Sequence, residues 1–587
     1  MKTGIVNDLV MDPSNPATLY ASVQSDGVYK TSTGGATGDS AWTKLPGLPA
    51  SEFTRISLAL CRNVPTTIYA GLSGSPFRVF RSADGATFSL SFTAASSIYN
   101  PGMGVDPSNP SIVYVLSAQF LRSTDGGVSF APPIGDSHEC QKFALDPIAP
   151  SVIYLGRDNG LFRSPDDGSN WAQIGTGIAN VEFYDGALAA TDSRLMIGGT
   201  QDNGTIKYDS SSTVWNEIQG GDGGTVAIDP TNAQVFYAMD QDINSIIRSA
   251  NGGAPGSWSP IGAGLPSGTC VTTSSATDFV APHWQLHPNH PATLLASCQS
   301  LWQSVNSGSD WTAIFTPPAG SVRRSAVDPS NGLYYAASDQ GRLFVVPDGT
   351  EVWAHPSGTP ASDLLIDPVN IGIAFVTCGG GGPAGQGRVF RLVRGPSGFA
   401  GNDITSNLPT GLEAKTIAVD RIAPLTIYVG TDRGVYRGVS PNQGGTWTWD
   451  SYNDGLPLAN VTHLEVHPTS GVMRATTFGR SAYEVYTDWP IGTLAQAQGV
   501  ITFLLVQEVG AGFGPPKDLL DVEVVITLDT LPGRGFGFQL RADSEEETRH
   551  GMLGLLRNVF ARNGRVTVDY TKTGLRNGSI LRVAEIP

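Results

Sequence analysis

Two short phrases alternate along most of this chain, and that alternation constrains its fold more than any other feature. The first is an apolar strand closing on Asp-Pro-x-Asn-Pro, followed by a strand that ends in Tyr. It runs through Asp12-Pro13-Ser14-Asn15-Pro16 to Tyr20 and through Asp106-Pro107-Ser108-Asn109-Pro110 to Tyr114, and it starts again at Asp146, Asp229, Asp328, Asp367 and Asp420. His287-Pro288 and His467-Pro468 fill the same slot. An Asp side chain accepts backbone N–H bonds and Pro interrupts the strand, so the phrase is a turn between strands. The second phrase is Ser-x-Asp-x-Gly-x-x-aromatic. Its clear copies are Ser123/Asp125/Gly127/Phe130, Ser164/Asp166/Gly168/Trp171, Ser304/Asn306/Gly308/Trp311 and Ser440/Asn442/Gly444/Trp447. Looser copies are Ser82/Asp84/Phe88 and Ser249/Asn251/Gly253/Trp258. Here the carboxylate or amide ties a hairpin, Gly permits the tight turn, and the aromatic ring plugs the gap between neighbouring sheets.

The phrases recur every 40 to 58 residues or so, the length of one four-stranded propeller blade. Roughly eleven units run from Ile5 to about Asp488, with degenerate ones around Ala190 and Asp348. The expected fold is therefore all-β: a β-propeller of about 10–11 four-stranded units, as one large ring or two, filling residues 1–488. Residues 489–587 drop the repeat grammar and read as a small C-terminal α+β domain of accessory character. Its strands are expected at Val500–Val506, Val522–Leu528, Phe536–Arg541, Arg565–Tyr570 and Ile580–Ala584. One helix between the third and fourth is bounded by a Ser544/Glu547 capping box and a Gly564 stop.

Composition excludes some classes of partner. The 587 residues carry a formal net charge of −16 and no basic run, which argues against nucleic acid, whose phosphates require clustered Lys and Arg. The apolar run Val500–Val506 is too short to span a bilayer. The five cysteines, Cys61, Cys140, Cys270, Cys298 and Cys378, never form Cys-x-x-Cys and sit in or beside apolar strand patterns, so they are expected as free thiols packed like small hydrophobes; Cys270–Cys298 is the one disulfide pairing worth considering. His283, His287 and His290 have a metal-like spacing, but the last two sit in the Asp-Pro turn slot, so they read as structural. The stretch from Asp240 departs from the calcium-loop template, with Ser245 and Asn251 at decisive positions. Gly379–Gly382 lacks the Lys-Ser/Thr of a phosphate cradle. No cofactor and no metal site is expected.

The two phrases together resemble the BNR-repeat, or Asp-box, propellers over about residues 5 to 488. That group includes sialidases, the two-propeller xyloglucanases of glycoside hydrolase family 74, and sortilin. The phrases Gly199-Thr200-Gln201-Asp202-Asn203-Gly204-Thr205, Gly220-Gly221-Asp222-Gly223-Gly224 and Ala475-Thr476-Thr477-Phe478-Gly479-Arg480 look like those of bacterial repeat proteins labelled sortilin-like or glycosyl hydrolase. The sialidase Arg-Ile-Pro signature is absent. The xyloglucanase resemblance implies an inverting pair of Asp residues separated widely enough to admit a water. Candidate carboxylates are Asp26, Asp158, Asp202, Asp222, Asp339 and Asp432. Asp26, Asp158, Asp202, Asp339 and Asp432 sit in Asp-Gly or Asp-x-Gly hairpins, where Asp forms turns. Gln24 stands where those enzymes carry their first acid. The first reading is an extracellular binding propeller for a glycan or a peptide. The alternative is a xyloglucanase-like inverting hydrolase. In either case Asp202 and Asp222 are expected to line the main recess as polar anchors, or as the catalytic carboxylates.

Overall fold

A computed structural model describes residues 4–35, 41–95, 102–116, 120–131, 140–175, 177–210, 214–267, 270, 282–379, 387–396, 398–421, 425–440, 446–453, 455–487, 494–514, 519–573 and 577–586. Within them the repeats form eleven antiparallel sheets, nine four-stranded and two three-stranded. The stretches around Ala190 and Asp348, degenerate in sequence, are complete sheets nonetheless. The second strand of a sheet is often buried on both faces, as in Ile68–Leu72, Met196–Thr200 and Ile373–Cys378. That explains why these segments read as continuous apolar runs rather than alternating ones.

Both phrases do local work. Asp12 Oδ1 accepts the N–H groups of Ser14 (2.8 Å) and Asn15 (3.2 Å), and Asp106, Asp146 and Asp367 repeat the pattern. His287 substitutes chemically as well as positionally: its Nδ1 accepts the N–H groups of Asn289 (3.1 Å) and His290 (3.2 Å). His467 Nδ1 does the same for Thr469 and Ser470. An acceptor at Nδ1 requires the neutral ring with its proton on Nε2, and burial lowers both pKa values. The repeat Tyr reaches the next sheet, as Tyr69 Oη donates to Pro110 O at 2.7 Å.

In the second phrase Ser123 Oγ donates to Asp125 Oδ1 (2.7 Å) and accepts from Gly127 N (2.9 Å). The Ser164/Asp166 and Ser304/Asn306 turns match it, while Asn442 lies outside the described residues. The indole N–H groups of Trp258 and Trp311 bond carbonyls of the preceding sheet, Ile218 O (3.0 Å) and Ile261 O (2.7 Å), so the ring is a plug fixed at both ends.

The chain divides after Ile178 into two compact units. The first holds four sheets that pack consecutively, and its first strand, Val6–Met11, leaves Val6, Leu9 and Met11 exposed. The second unit holds seven sheets that close on themselves. Its first strand, Phe183–Leu188, packs on Val461–Val466 and Val472–Thr477 of the seventh sheet. Ser481 N donates to Val181 O (3.0 Å) and Leu188 N to Glu465 Oε2 (2.8 Å) across that seam. Closure removes the exposed sheet edge that a linear stack would leave.

Strands Leu494–Val506, Val524–Leu528, Leu531–Phe538, Asn577–Ile586 and Arg565–Lys572 close a barrel, with helix Glu546–Phe560 as the expected α element. Val524, Ile526, Phe536, Leu556, Val559 and Val566 belong to its core. Two local expectations change. Ser544 makes no cap; the helix is entered from Asp543, whose Oδ1 accepts Glu545 N (2.8 Å). The left-handed residue that ends it is Asn563 (φ 53°), with Gly564 N returning to Val559 O (3.0 Å). The expected junction at 488/489 lies outside the described residues.

Candidate functional site

The first strand of every sheet in the seven-sheet ring faces a central cavity of about 970 Å³. A local backbone device gives this channel its chemistry. A strand normally alternates its side chains between faces. Here the register slips at the second residue of five inner strands, between Phe183/Asp185, Val322/Arg324, Ala361/Asp363, Ala414/Thr416 and Val461/His463. Such a bulge sets two residues against one on the partner strand and re-aims side chains. Each slip delivers two successive residues to the cavity wall: Tyr184–Asp185, Arg323–Arg324, Ser362–Asp363, Lys415–Thr416 and Thr462–His463. At the other end the lining turns apolar, with Leu188, Ile228, Leu286, Leu365 and Leu464.

The acids of this wall are latches between neighbouring sheets. Asp185 Oδ2 accepts Val226 N (3.2 Å), Asp363 Oδ2 accepts Ile417 N (3.0 Å), and Glu465 accepts Leu188 N. His463 stands at the closing seam, its Nδ1 3.0 Å from Asp185 Oδ1 and its Nε2 3.6 Å from Glu465 Oε2. Burial acts to lower its pKa, but the charge of Asp185, its hydrogen bond and Glu465 outweigh burial and raise it to about 10. This histidine is therefore an imidazolium at neutral pH. His283 is its opposite. Burial and then the charge of Arg324 push it down to about 3, leaving a neutral ring beside Ser325 O (3.3 Å). Arg324 is fixed by Ser362 O (2.7 Å, from Nε) and Arg323 O (3.1 Å, from Nη1).

Asp202 and Asp222 are brought together. Asp202 occupies a left-handed turn (φ 57°), and its N–H donates to Asp222 Oδ1 at 2.7 Å. Gln241 Nε2 donates to Asp222 Oδ2. Both carboxylates act on Tyr184, whose pKa is raised by burial first and then by their charges. Tyr184 Oη donates to Gln201 Oε1 (2.9 Å), and these two residues line the cavity whereas Asp202 and Asp222 stand behind them. The glycines of this region serve contact between backbones. A Cβ on Gly199 would lie 1.9 Å from Gly224 O, and one on Gly223 2.3 Å from Gly204 O. Gly223 N bonds Thr200 O (2.8 Å), which stitches the two phrases together, and Gly224 N bonds Met239 O (2.6 Å) beyond them.

The other candidates sit in local turns. Asp26 is held by Tyr29 (2.6 Å) and Lys44 (2.7 Å), Asp158 by Gln141 (2.9 Å), Asp339 by Gln340 (3.1 Å), and Asp432 accepts Glu413 N (2.8 Å). Of the three spaced histidines, His283 lines the channel while His287 serves a turn. Cys270 and Cys298 form a disulfide. The channel residues Asp185, Arg323, Arg324, Lys415, His463 and Glu465 escaped the sequence reading. Their signal is positional: a polar residue recurs two places into the inner strand, as at Asp8, Lys142, Asp185, Arg324, Asp363 and His463.

No family model matches the chain. A xyloglucanase from Paenibacillus sp is 22% identical over 596 residues, covering 86% of this chain and 55% of its own length. A xyloglucanase from Hypocrea jecorina (strain QM6a) is 31% identical over 145 residues, 23% of this chain and 17% of its own. The chain thus spans little more than half of the longer relative. Among solved structures, the GH74 enzyme of Niastella koreensis covers 83% of this chain at 15% identity with a TM-score of 0.25. PorZ of Porphyromonas gingivalis covers all of it at 11% identity and 0.48. The chain is a β-propeller whose sequence is similar to that of xyloglucanases.

Proposed function

We propose that this protein is a glycan-binding propeller that works outside the cell, with Tyr184 and Gln201 as polar anchors at the channel, Asp202 and Asp222 holding the loops behind them, and the C-terminal barrel as an accessory module. The likeness to a xyloglucanase over 86% of the chain supports a glycan ligand. The observation that favours binding over hydrolysis is the state of Asp222. One of its oxygens takes the Asp202 N–H and the other takes Gln241, so the carboxylate pins two loops. An inverting hydrolase needs one carboxyl to protonate the leaving group and another, roughly 6.5–9.5 Å away, to activate a water. Both Asp222 oxygens are thus engaged by the protein, and the residue does not line the cavity. The Cys270–Cys298 disulfide suits an oxidising compartment.

Incubation with xyloglucan and mixed-linkage glucans decides between binding and cleavage. Retardation of the protein in gels containing the polysaccharide, with no new reducing ends, is the expected result. Release of reducing ends that Asp222→Asn abolishes would establish the inverting-hydrolase alternative, with Asp222 and Asp202 as its carboxylates. Absence of both retardation and cleavage would refute a glycan role for these substrates.

A further inference from the structure

We propose that the central channel of the seven-sheet ring binds a sugar carboxylate, a hexuronate or a glycan ending in one, with Arg323 and Arg324 receiving the acid group. This deepens the glycan reading and rests on it. The cavity, at about 970 Å³, is at the upper end of small-molecule sites, which span roughly 300–1,000 Å³. Its basic residues lie mostly on one side, with Asp363 among them. The inner strand Val322–Val327 carries Arg323 and Arg324, and Lys415 stands two sheets further on. With seven sheets in the ring, Val322–Val327 lies opposite the seam where Asp185, His463 and Glu465 meet.

The acids do not cancel this arrangement. Asp185, Asp363 and Glu465 are each bound to a backbone N–H of the neighbouring sheet, and Asp185 and Glu465 also flank the His463 imidazolium. Lys415 pairs with Glu413 (2.6 Å), which lies outside the cavity lining, and Asp363 and Asp185 partly offset the charge of Arg324. What distinguishes Arg324 is preorganisation. Two carbonyls hold its Nε and Nη1, fixing the guanidinium plane and leaving Nη2 accessible. A planar fork held this way matches a carboxylate better than a mobile ammonium does.

The opposite wall suits the sugar ring. Tyr184 and Phe478 stand together at one end of the cavity, ring centroids 5.7 Å apart, offering aromatic surface to a pyranose face. Gln201, Asn460 and Thr462 line the same end, and Asn460 Oδ1 has no partner. An uncharged sugar would bring no anion to the arginine side, and a simple carboxylate would leave the Tyr184 side empty.

Isothermal titration of the full chain at pH 7 and matched ionic strength, with sodium D-glucuronate, D-glucose and sodium acetate, tests this. Glucuronate is expected to bind at least tenfold more tightly than either control. Arg323→Gln should weaken it at least tenfold with unchanged Tm. Thr462→Phe, which narrows the channel from the far wall without touching a guanidinium, should also weaken it and stands as the test if Arg323→Gln proves unstable. Acetate binding as tightly as glucuronate, glucose binding equally well, or both variants binding like the parent would overturn the inference. Retention on xyloglucan with no glucuronate binding would sink this inference alone. Glucuronate binding without retention on any glucan would sink the neutral-glucan reading and leave the channel site standing.

Discussion

Replacing His463 by Gln tests the idea that the seven-sheet ring is clasped by an imidazolium between two carboxylates. Gln can still donate to Asp185, so shape and one hydrogen bond survive while the charge is lost. The rise from 6.5 to about 10 corresponds to a ceiling of about 5 kcal/mol, at 1.36 kcal/mol per unit. The His463 side chain keeps 27% of its surface exposed, which screens the pair, and removing one member of a buried pair costs about 3–5 kcal/mol. A loss of about 3 kcal/mol is therefore expected, a fall of several degrees in the Tm of the ring. The pH dependence carries the argument. A pKa raised in the folded state gives stability that is fully present below 6.5 and is lost as pH rises through about 10. Calorimetry of the parent and His463→Gln at pH 6, 8 and 10 should show a gap that is widest at pH 6 and nearly closed above pH 10. Hydrogen exchange at the Leu188 amide, which donates to Glu465, should speed up in the variant at pH 6. A constant gap from pH 6 to 10, or none at pH 6, would refute the clasp.

Three further outcomes are expected. His287 and His467 act as neutral acceptors with lowered pKa values, so their contribution is present above pH 6.5 and lost as pH falls below it; the double variant His287→Asp/His467→Asp should resist melting between pH 7 and 5 better than the parent, by about 1 kcal/mol per site, as read by circular dichroism. Gly223→Ala would force a Cβ to 2.3 Å from Gly204 O and should destabilise the ring by more than about 2 kcal/mol, whereas Gly177→Ala, with open space around its Cβ, should cost less despite its φ of 91°. Removing the Cys270–Cys298 bridge with paired serines should cost about 3–4 kcal/mol from the entropy of a loop with a sequence separation of 28, measured as the difference in melting with and without reductant.

The catalytic-looking motif of the sequence and the charged channel of the structure have different origins. Asp202 and Asp222 stood out because Gly-rich phrases are conspicuous, and the structure does unite them. The glycines, however, are required where Gly199 meets Gly224 and Gly223 meets Gly204, main chain against main chain. Asp185, Arg324 and His463 were inconspicuous because each is a single polar residue near the start of an apolar strand. A backbone bulge aims them inward, and bulges leave little trace in a single strand's residue pattern.

Local structure is legible in the residues alone. Asp-Pro turns, Ser-x-Asp-x-Gly hairpins and aromatic plugs are settled by bonds within a few residues, so the repeat sheets, and even the substitution of His287 for Asp, could be read directly. The grouping of the sheets comes from long-range contacts. Four stack in the first unit and seven close in the second, because Leu188 meets Glu465 across 277 residues and Asp185 meets His463 beside it. Every sheet has nearly the same grammar, so no local pattern marks where a ring begins or ends. The closing contact is a matter of accumulated twist and of which inner-strand charges come face to face, and it is the same closure that creates the channel.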